Sequence, residues 1–162
     1  MAYVGRFATT RAKLATYLRR KIMEKGWDAP QAPAIEPLVE RLAALGYIDD
    51  AAFALSRARS LGARGYGERR VDQALRQAGV DEADGAPAKE AASDGATAAA
   101  IRYAQRRRLG PFALERPDPK ARDRALSAMI RAGHRFELAR RLIDLAPDRE
   151  ADPVMVEQSL GK

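Results

Sequence analysis

Cysteine is absent from the 162 residues, which excludes disulfides, thiolate metal sites and cysteine nucleophiles together. Histidine occurs once, at His134, and tryptophan once, at Trp27. One imidazole beside a helix stop offers no setting for a nucleophile–base pair. Aromatic residues make up 6% of the chain, a scarcity that counts against a generic single-strand binder built on stacking platforms. No apolar run approaches the length of a bilayer span, and Met1–Thr10 holds no apolar core of signal-peptide length. A cytoplasmic protein without membrane contact is therefore expected. Gly62, Gly65 and Gly67 follow no strand and lack the lysine-serine or lysine-threonine pair of a phosphate loop. No metal, no cofactor and no catalytic residue is expected.

What is present is positive charge, unevenly placed. The formal net charge is +7 and the pI about 10.0. Between Arg6 and Lys25 seven bases stand against the single acid Glu24, whereas between Asp81 and Asp94 five acids stand against Lys89. Basicity returns at Arg102 and at Arg106, Arg107 and Arg108. A polyanion such as DNA suits such segments, because phosphate neutralisation releases condensed counterions; solvated helix faces are the plainer reading.

Apolar residues recur at helical spacing along nearly the whole chain, and no segment alternates with period two, so an all-α fold without strands is expected. Leu14, Tyr17, Leu18 and Ile22 mark a first stripe; Ile35, Leu38, Val39, Leu42 and Leu45 a second; Phe53, Ala54, Ala58 and Leu61 a third. Val71, Ala74, Leu75 and Ala78 follow the Gly65-Tyr66-Gly67 turn, and later stripes run through Ile101, Leu126, Met129 and Ile130, then Leu138, Leu142 and Ile143. Asp49 or Asp50 supplies a cap, as does Asp118 ahead of Pro119, and Asp152-Pro153 can open a short terminal helix.

Three of these helices share a pattern: LRRKIMEKGW, VDQALRQAGV and ALSAMIRAGH each end in glycine, at Gly26, Gly79 and Gly133. The separations are 79 − 26 = 53 and 133 − 79 = 54 residues. Near-equal spacing predicts three copies of a unit of about three helices, stacked on shared cores. The expected division is 1–47, 48–97 and 98–147, followed by a tail or short helix over 148–162. In the middle unit, 81–97 holds almost no large apolar residue and carries Gly85, Pro87 and Gly95, which predicts a weak, acidic, mobile third helix. Trp27 is expected to plug the end of the first-unit helix, and His134 to be a cap or surface group.

The candidate binding residues lie around the middle unit. Arg69, Gln73 and Arg76 share a face opposite Val71 and Leu75, Arg57 and Arg64 lie seven apart on the preceding helix, and Arg70 adjoins them. Tyr66 sits between glycines, where packing is favoured over base stacking. Arg106, Arg107 and Arg108 turn through most of a helix circumference, so at least one faces solvent.

The stretch LGYIDDAAF (Leu45–Phe53), then RGYGERRVDQAL (Arg64–Leu75), then Gly79-Val80, resembles the RecX family of recombination regulators. The resemblance continues through YAQRRRLGPF, RDRALSAMIRAGH and FELARRLI, and back into the first repeat. It implies an elongated, curved array of three-helix repeats that lodges in the groove of the RecA–DNA filament. There it restrains filament growth, ATP hydrolysis and strand exchange. It implies RecA as partner, DNA contacted weakly or within the filament, and a monomer. The sequence departs from the family pattern at 81–97, where an apolar third helix is usual, and at its abrupt start, which predicts a short first helix. A helix-turn-helix regulator with the helix from Glu68 to Ala78 in the major groove is the competing reading, though that helix has no base-reading Asn and no dimerisation stripe.

Overall fold

The computed structural model describes residues 9–148 and 150–161, and among them the chain is helical with no strand. Nine α-helices follow in order: α1 Arg11–Lys25, α2 Ile35–Ala44, α3 Asp50–Ala63, α4 Glu68–Gln77, α5 Glu82–Asp94, α6 Ala96–Arg107, α7 Pro119–Arg131, α8 Phe136–Asp144 and α9 Pro153–Leu160. A 3-10 turn at Gly110–Phe112 interrupts the α6–α7 connection.

Side-chain caps set the starts. The Thr10 hydroxyl and the Asp49, Asp81, Asp118 and Asp152 carboxylates each accept a backbone N–H from the first turn of the helix that follows. A single C-terminal device closes five helices. The N–H of Tyr47, Tyr66, Val80, Leu109 and His134 donates to the carbonyl five residues back, across a residue in the left-handed region. Four of those residues are glycine; the fifth is Arg108, at φ 54°.

Burial divides into three clusters. Leu14, Ala15, Ile35, Val39 and Ile48 form one between α1 and α2. Ala54, Ala58, Leu61, Val71, Leu75 and Ala88 form a second among α3, α4 and α5. The third joins α6 to α9 through Ile101, Tyr103, Met129, Leu142, Ile143, Val156 and Leu160. We refer to these as the first, middle and last modules.

Four expectations are corrected. The third helix of the middle unit, expected to be weak and mobile, is a capped helix of 13 residues, and α5 makes its most extensive contact with α3. Its buried residues are Gly85 and Ala88, small enough to bring the helix axis close to Ala54 and Ala58. Asp81 caps it, Glu82 and Asp84 complement its dipole, and Pro87 deletes a single internal hydrogen bond. Trp27 does not plug a helix end; it is 50% exposed, its Nε1 donating to the Gln31 carbonyl. His134 is not a surface group but is 1% exposed. The first helix, expected to be short, is α1, which runs 15 residues from Arg11 to Lys25.

Adjacent modules meet by one arrangement used twice. The carbonyl that ends α4, Ala78, accepts the hydroxyl of Thr10, the cap of α1, at 2.6 Å. The carbonyl that ends α7, Ala132, accepts the N–H of Gly67, the cap of α4, at 3.0 Å. In each case the glycine that follows lies against the neighbouring helix start. A Cβ on Gly79 would fall 2.3 Å from the Ala12 Cβ, and one on Gly133 would fall 2.5 Å from the Arg70 nitrogen.

Candidate partner-binding surface

The middle–last junction gathers the arginines. The turn Gly65-Tyr66-Gly67 lies between α6 and the Ala132–His134 corner with no room for a side chain at either glycine: a Cβ on Gly65 would be 2.8 Å from the Tyr103 nitrogen, and one on Gly67 2.4 Å from the Gly133 carbonyl carbon. The Arg69 N–H donates to the Gly133 carbonyl at 3.1 Å, and the His134 Nε2 lies 3.1 Å from the Gly65 oxygen. Burial holds the His134 pKa below its ordinary value, against the opposing pull of the Gly65 carbonyl and Glu68. The ring is thus neutral at physiological pH, and its edge meets Tyr103 with centroids 5.5 Å apart.

Around this junction two tyrosines each carry two guanidinium groups. Arg64 and Arg70 stand 5.7 and 6.0 Å from the Tyr66 ring, and Arg106 and Arg107 stand 5.7 and 5.8 Å from the Tyr103 ring. Tyr66 is half-buried and packs against both the middle and last cores, which fixes its ring as a platform. An arginine held over an aromatic face keeps its N–H edge free for a carboxylate or phosphate.

Of the nine candidate residues, the structure brings Arg64, Tyr66, Arg70, Arg106 and Arg107 together. Arg57 and Arg69 are exposed on α3 and α4, and Arg108 closes α6. Among the described residues, no acid pairs with Arg57, Arg64, Arg69, Arg70, Arg106, Arg107 or Arg108. Three candidates are engaged otherwise. Arg70 donates to the Gln73 side-chain carbonyl at 2.9 Å. Arg76 is ion-paired with Asp72, one turn back on α4. Arg106 donates to the Arg64 carbonyl at 2.6 Å, tying α6 to the end of α3. Arg102, outside the sequence-based set, does likewise through Gly62 at 3.2 Å. The four-residue spacing of Arg102 and Arg106 was the available signal for that pair. Tyr103 was also missed, its ring hidden within an apolar stripe.

The described residues contain no group of three or more potential metal ligands, and the one imidazole is buried between backbone and Tyr103. No helix among them is long and apolar enough to cross a membrane.

A profile for the second three-helix domain of RecX matches residues 49–86, the stretch from the α3 cap into α5. The chain is 34% identical over 161 residues to the regulatory protein RecX of Myxococcus xanthus, covering 90% of this chain and 82% of that one. The chain belongs to the RecX family. It is also 33% identical to the RecX regulatory protein of Thermobifida fusca, over 91% of this chain and 75% of that one. For the Agrobacterium fabrum RecX protein the identity is 28%, over 93% and 82%. The RecX fold is a helical repeat, and the profile match places the arginine-bearing turn ahead of α4 within its second three-helix domain.

Proposed function

We propose that this chain is a RecX-type regulator that binds the RecA–DNA filament and restrains its extension, ATP hydrolysis and strand exchange, acting by binding and not by catalysis. The observation that carries the reading is the set of arginines without acidic partners on two tyrosine platforms, across a junction where backbone is packed against backbone. Such a surface engages repeated carboxylates or phosphates without reorganising, and several weak contacts on one rigid body add as avidity. Arg57, Arg64, Arg69, Arg70, Arg107 and Arg108 are the proposed contacts. Tyr66 and Arg106 hold the surface in shape, and Arg76 contributes once freed from Asp72. The tandem-repeat division at 47, 97 and 147 belongs to the same proposal, as do a cytoplasmic location and a monomeric state in dilute solution.

The competing helix-turn-helix reading is disfavoured by one feature. The start of α4, the end that would read bases, is covered by the Ala132–His134 corner, with the Gly67 and Arg69 amides already bonded there. Co-sedimentation with RecA filaments on single-stranded DNA tests the proposal, using the double variant Arg64→Glu/Arg107→Glu. Binding is expected to fall at least about tenfold with helix content unchanged, each lost charged contact contributing roughly 1 kcal/mol or more. Unchanged binding would remove this surface from the account, and a preference for one duplex sequence would favour the competing reading.

A further inference from the structure

Beside the candidate surface lies a groove that the fold does not fill. It runs between α3, α5 and α6, holds about 400 Å³, and is lined by alanines and glycines, by Val71 and Tyr66, and by Arg59 and Arg102. Its origin is in the sequence. α5 closes on α3 through Gly85 and Ala88, but farther along the three helices present Gly62, Ala92, Gly95 and Ala99, none of which reaches across. Gly62 is the least expected of these. It lies in the last turn of α3 with an ordinary helical backbone, and among the described residues nothing lies within 4 Å of where its Cβ would be. Gly65, Gly67, Gly79 and Gly133 each face a neighbour that a Cβ would strike. Gly62 faces none, so a poor helix former stands where the packing does not require one, and its missing side chain keeps the groove open.

The only charges in the lining are positive. Arg102 is fixed at one lip, its Nε donating to the Gly62 carbonyl at 3.2 Å, and Arg59 is exposed on α3. Neither is paired with an acid among the described residues. Glu90 and Asp94, the acids on this part of α5, are exposed and lie outside the lining. Tyr66 walls the groove on the side of the second junction, and Arg64 and Arg70 stand against its ring. An apolar hollow is thus bordered or adjoined by four guanidinium groups.

We infer that this groove takes a protein segment carrying one large apolar side chain between carboxylates. The apolar side chain fills the hollow, where its burial supplies the affinity, and the flanking carboxylates meet Arg59 and Arg102 at the lips. Arg102 is already held in place by Gly62, so little ordering is needed on that side. A nucleic-acid base fits less well. Its ring nitrogens and exocyclic groups would lose water against alanine and valine without gaining partners. The inference gives the chemistry of the partner at this face and stands whether or not that partner is RecA.

Fluorescence anisotropy with the full chain at near-physiological salt tests it, the probe being a short labelled peptide with one phenylalanine between glutamates. Saturable binding tighter than about 1 mM is expected, weakened at least about tenfold when alanine replaces the phenylalanine. Gly62→Leu, whose side chain grows into the groove, and Arg59→Glu, at the lip, are each expected to weaken it at least about tenfold with helix content retained. Arg59 lies on an exposed helix face and carries the test alone if Gly62→Leu loses helix content. Leu114→Gln, in the separate cleft walled by 108–118, is expected to leave binding unchanged. No saturable binding, equal binding of the two peptides, indifference to the groove variants, or loss on Leu114→Gln alone would each overturn the proposal. So would an oligothymidine that binds more tightly than the peptide and is weakened by Gly62→Leu, which would make the groove a nucleic-acid site. RecA takes no part in the assay, so its failure would leave the filament reading standing.

Discussion

Where the first module meets the middle one, charge is brought inward. Arg11 bonds to Asp84 at 2.8 Å and lies 3.7 Å from Asp50, whose carboxylate is 4% exposed and also accepts the Arg11 N–H at 3.0 Å. Where the middle module meets the last, the buried contacts are backbone against backbone and a neutral imidazole; the one ion pair among the described residues, Arg135 with Glu68, lies at the rim. Both corners are sterically tight, but the first junction adds an ion cluster that solvent can moderate, whereas the second adds a tightly packed turn and a buried neutral imidazole. The candidate binding surface sits on the second, where rigidity holds cations from two modules in register.

The comparison can be broken from either side. The largest expected effect is Gly67→Ala. Its φ of −80° suits any residue, so the new Cβ, 2.4 Å from the Gly133 carbonyl carbon, acts by overpacking alone. Backbone must separate, and urea unfolding is expected to report a loss of about 2–3 kcal/mol. Arg11→Met, at the first junction, leaves Asp50 without its cation. Because Arg11 is about one-third exposed, screening reduces the penalty to about 1–2 kcal/mol.

Acidification is expected to move the two junctions in opposite directions. The folded-state pKa of His134 is depressed by burial, so its contribution is present above the ordinary value of 6.5 and is lost as pH falls through the lowered one. Burial raises Asp50 above its ordinary 3.8, outweighing the Arg11 N–H and guanidinium, so its contribution is complete below 3.8 and is lost as pH rises through the raised value. Amide protection factors should therefore fall at Arg69 and not at Arg11 as pH drops below about 6.5. His134→Gln, which keeps a donor for Gly65 without titrating, should flatten the Arg69 profile; an unchanged profile would remove the imidazole as its cause. The smallest expected effect is Arg108→Gly, which relieves a non-glycine residue at φ 54° and should raise stability by about 0.5–1 kcal/mol.

Much of the fold was legible because its signals are local. Aspartate caps, glycine stops and stripes of leucine and isoleucine act within a few residues of where they are written. The third helix of the middle module was not, because periodicity is weighed on large side chains and α5 packs through Gly85 and Ala88. His134 and Trp27 exchanged their expected surroundings for a related reason. Each follows a glycine stop, and what covers it comes from far away in sequence: Gly65 is 69 residues from His134. The candidate surface was half legible. Arginine density is visible in the chain, but the pairing of Arg76 with Asp72 and the use of Arg106 as a tie to α3 depend on rotamers and on the meeting of modules.

The most direct test of the central proposal is the rate of DNA-dependent ATP hydrolysis by RecA, titrated with this protein at near-physiological salt. Suppression well below one copy per RecA monomer is predicted, since a body seated on the filament acts on many subunits. Hydrolysis unchanged at stoichiometric excess, with ordinary salt-sensitive DNA binding retained, would contradict it.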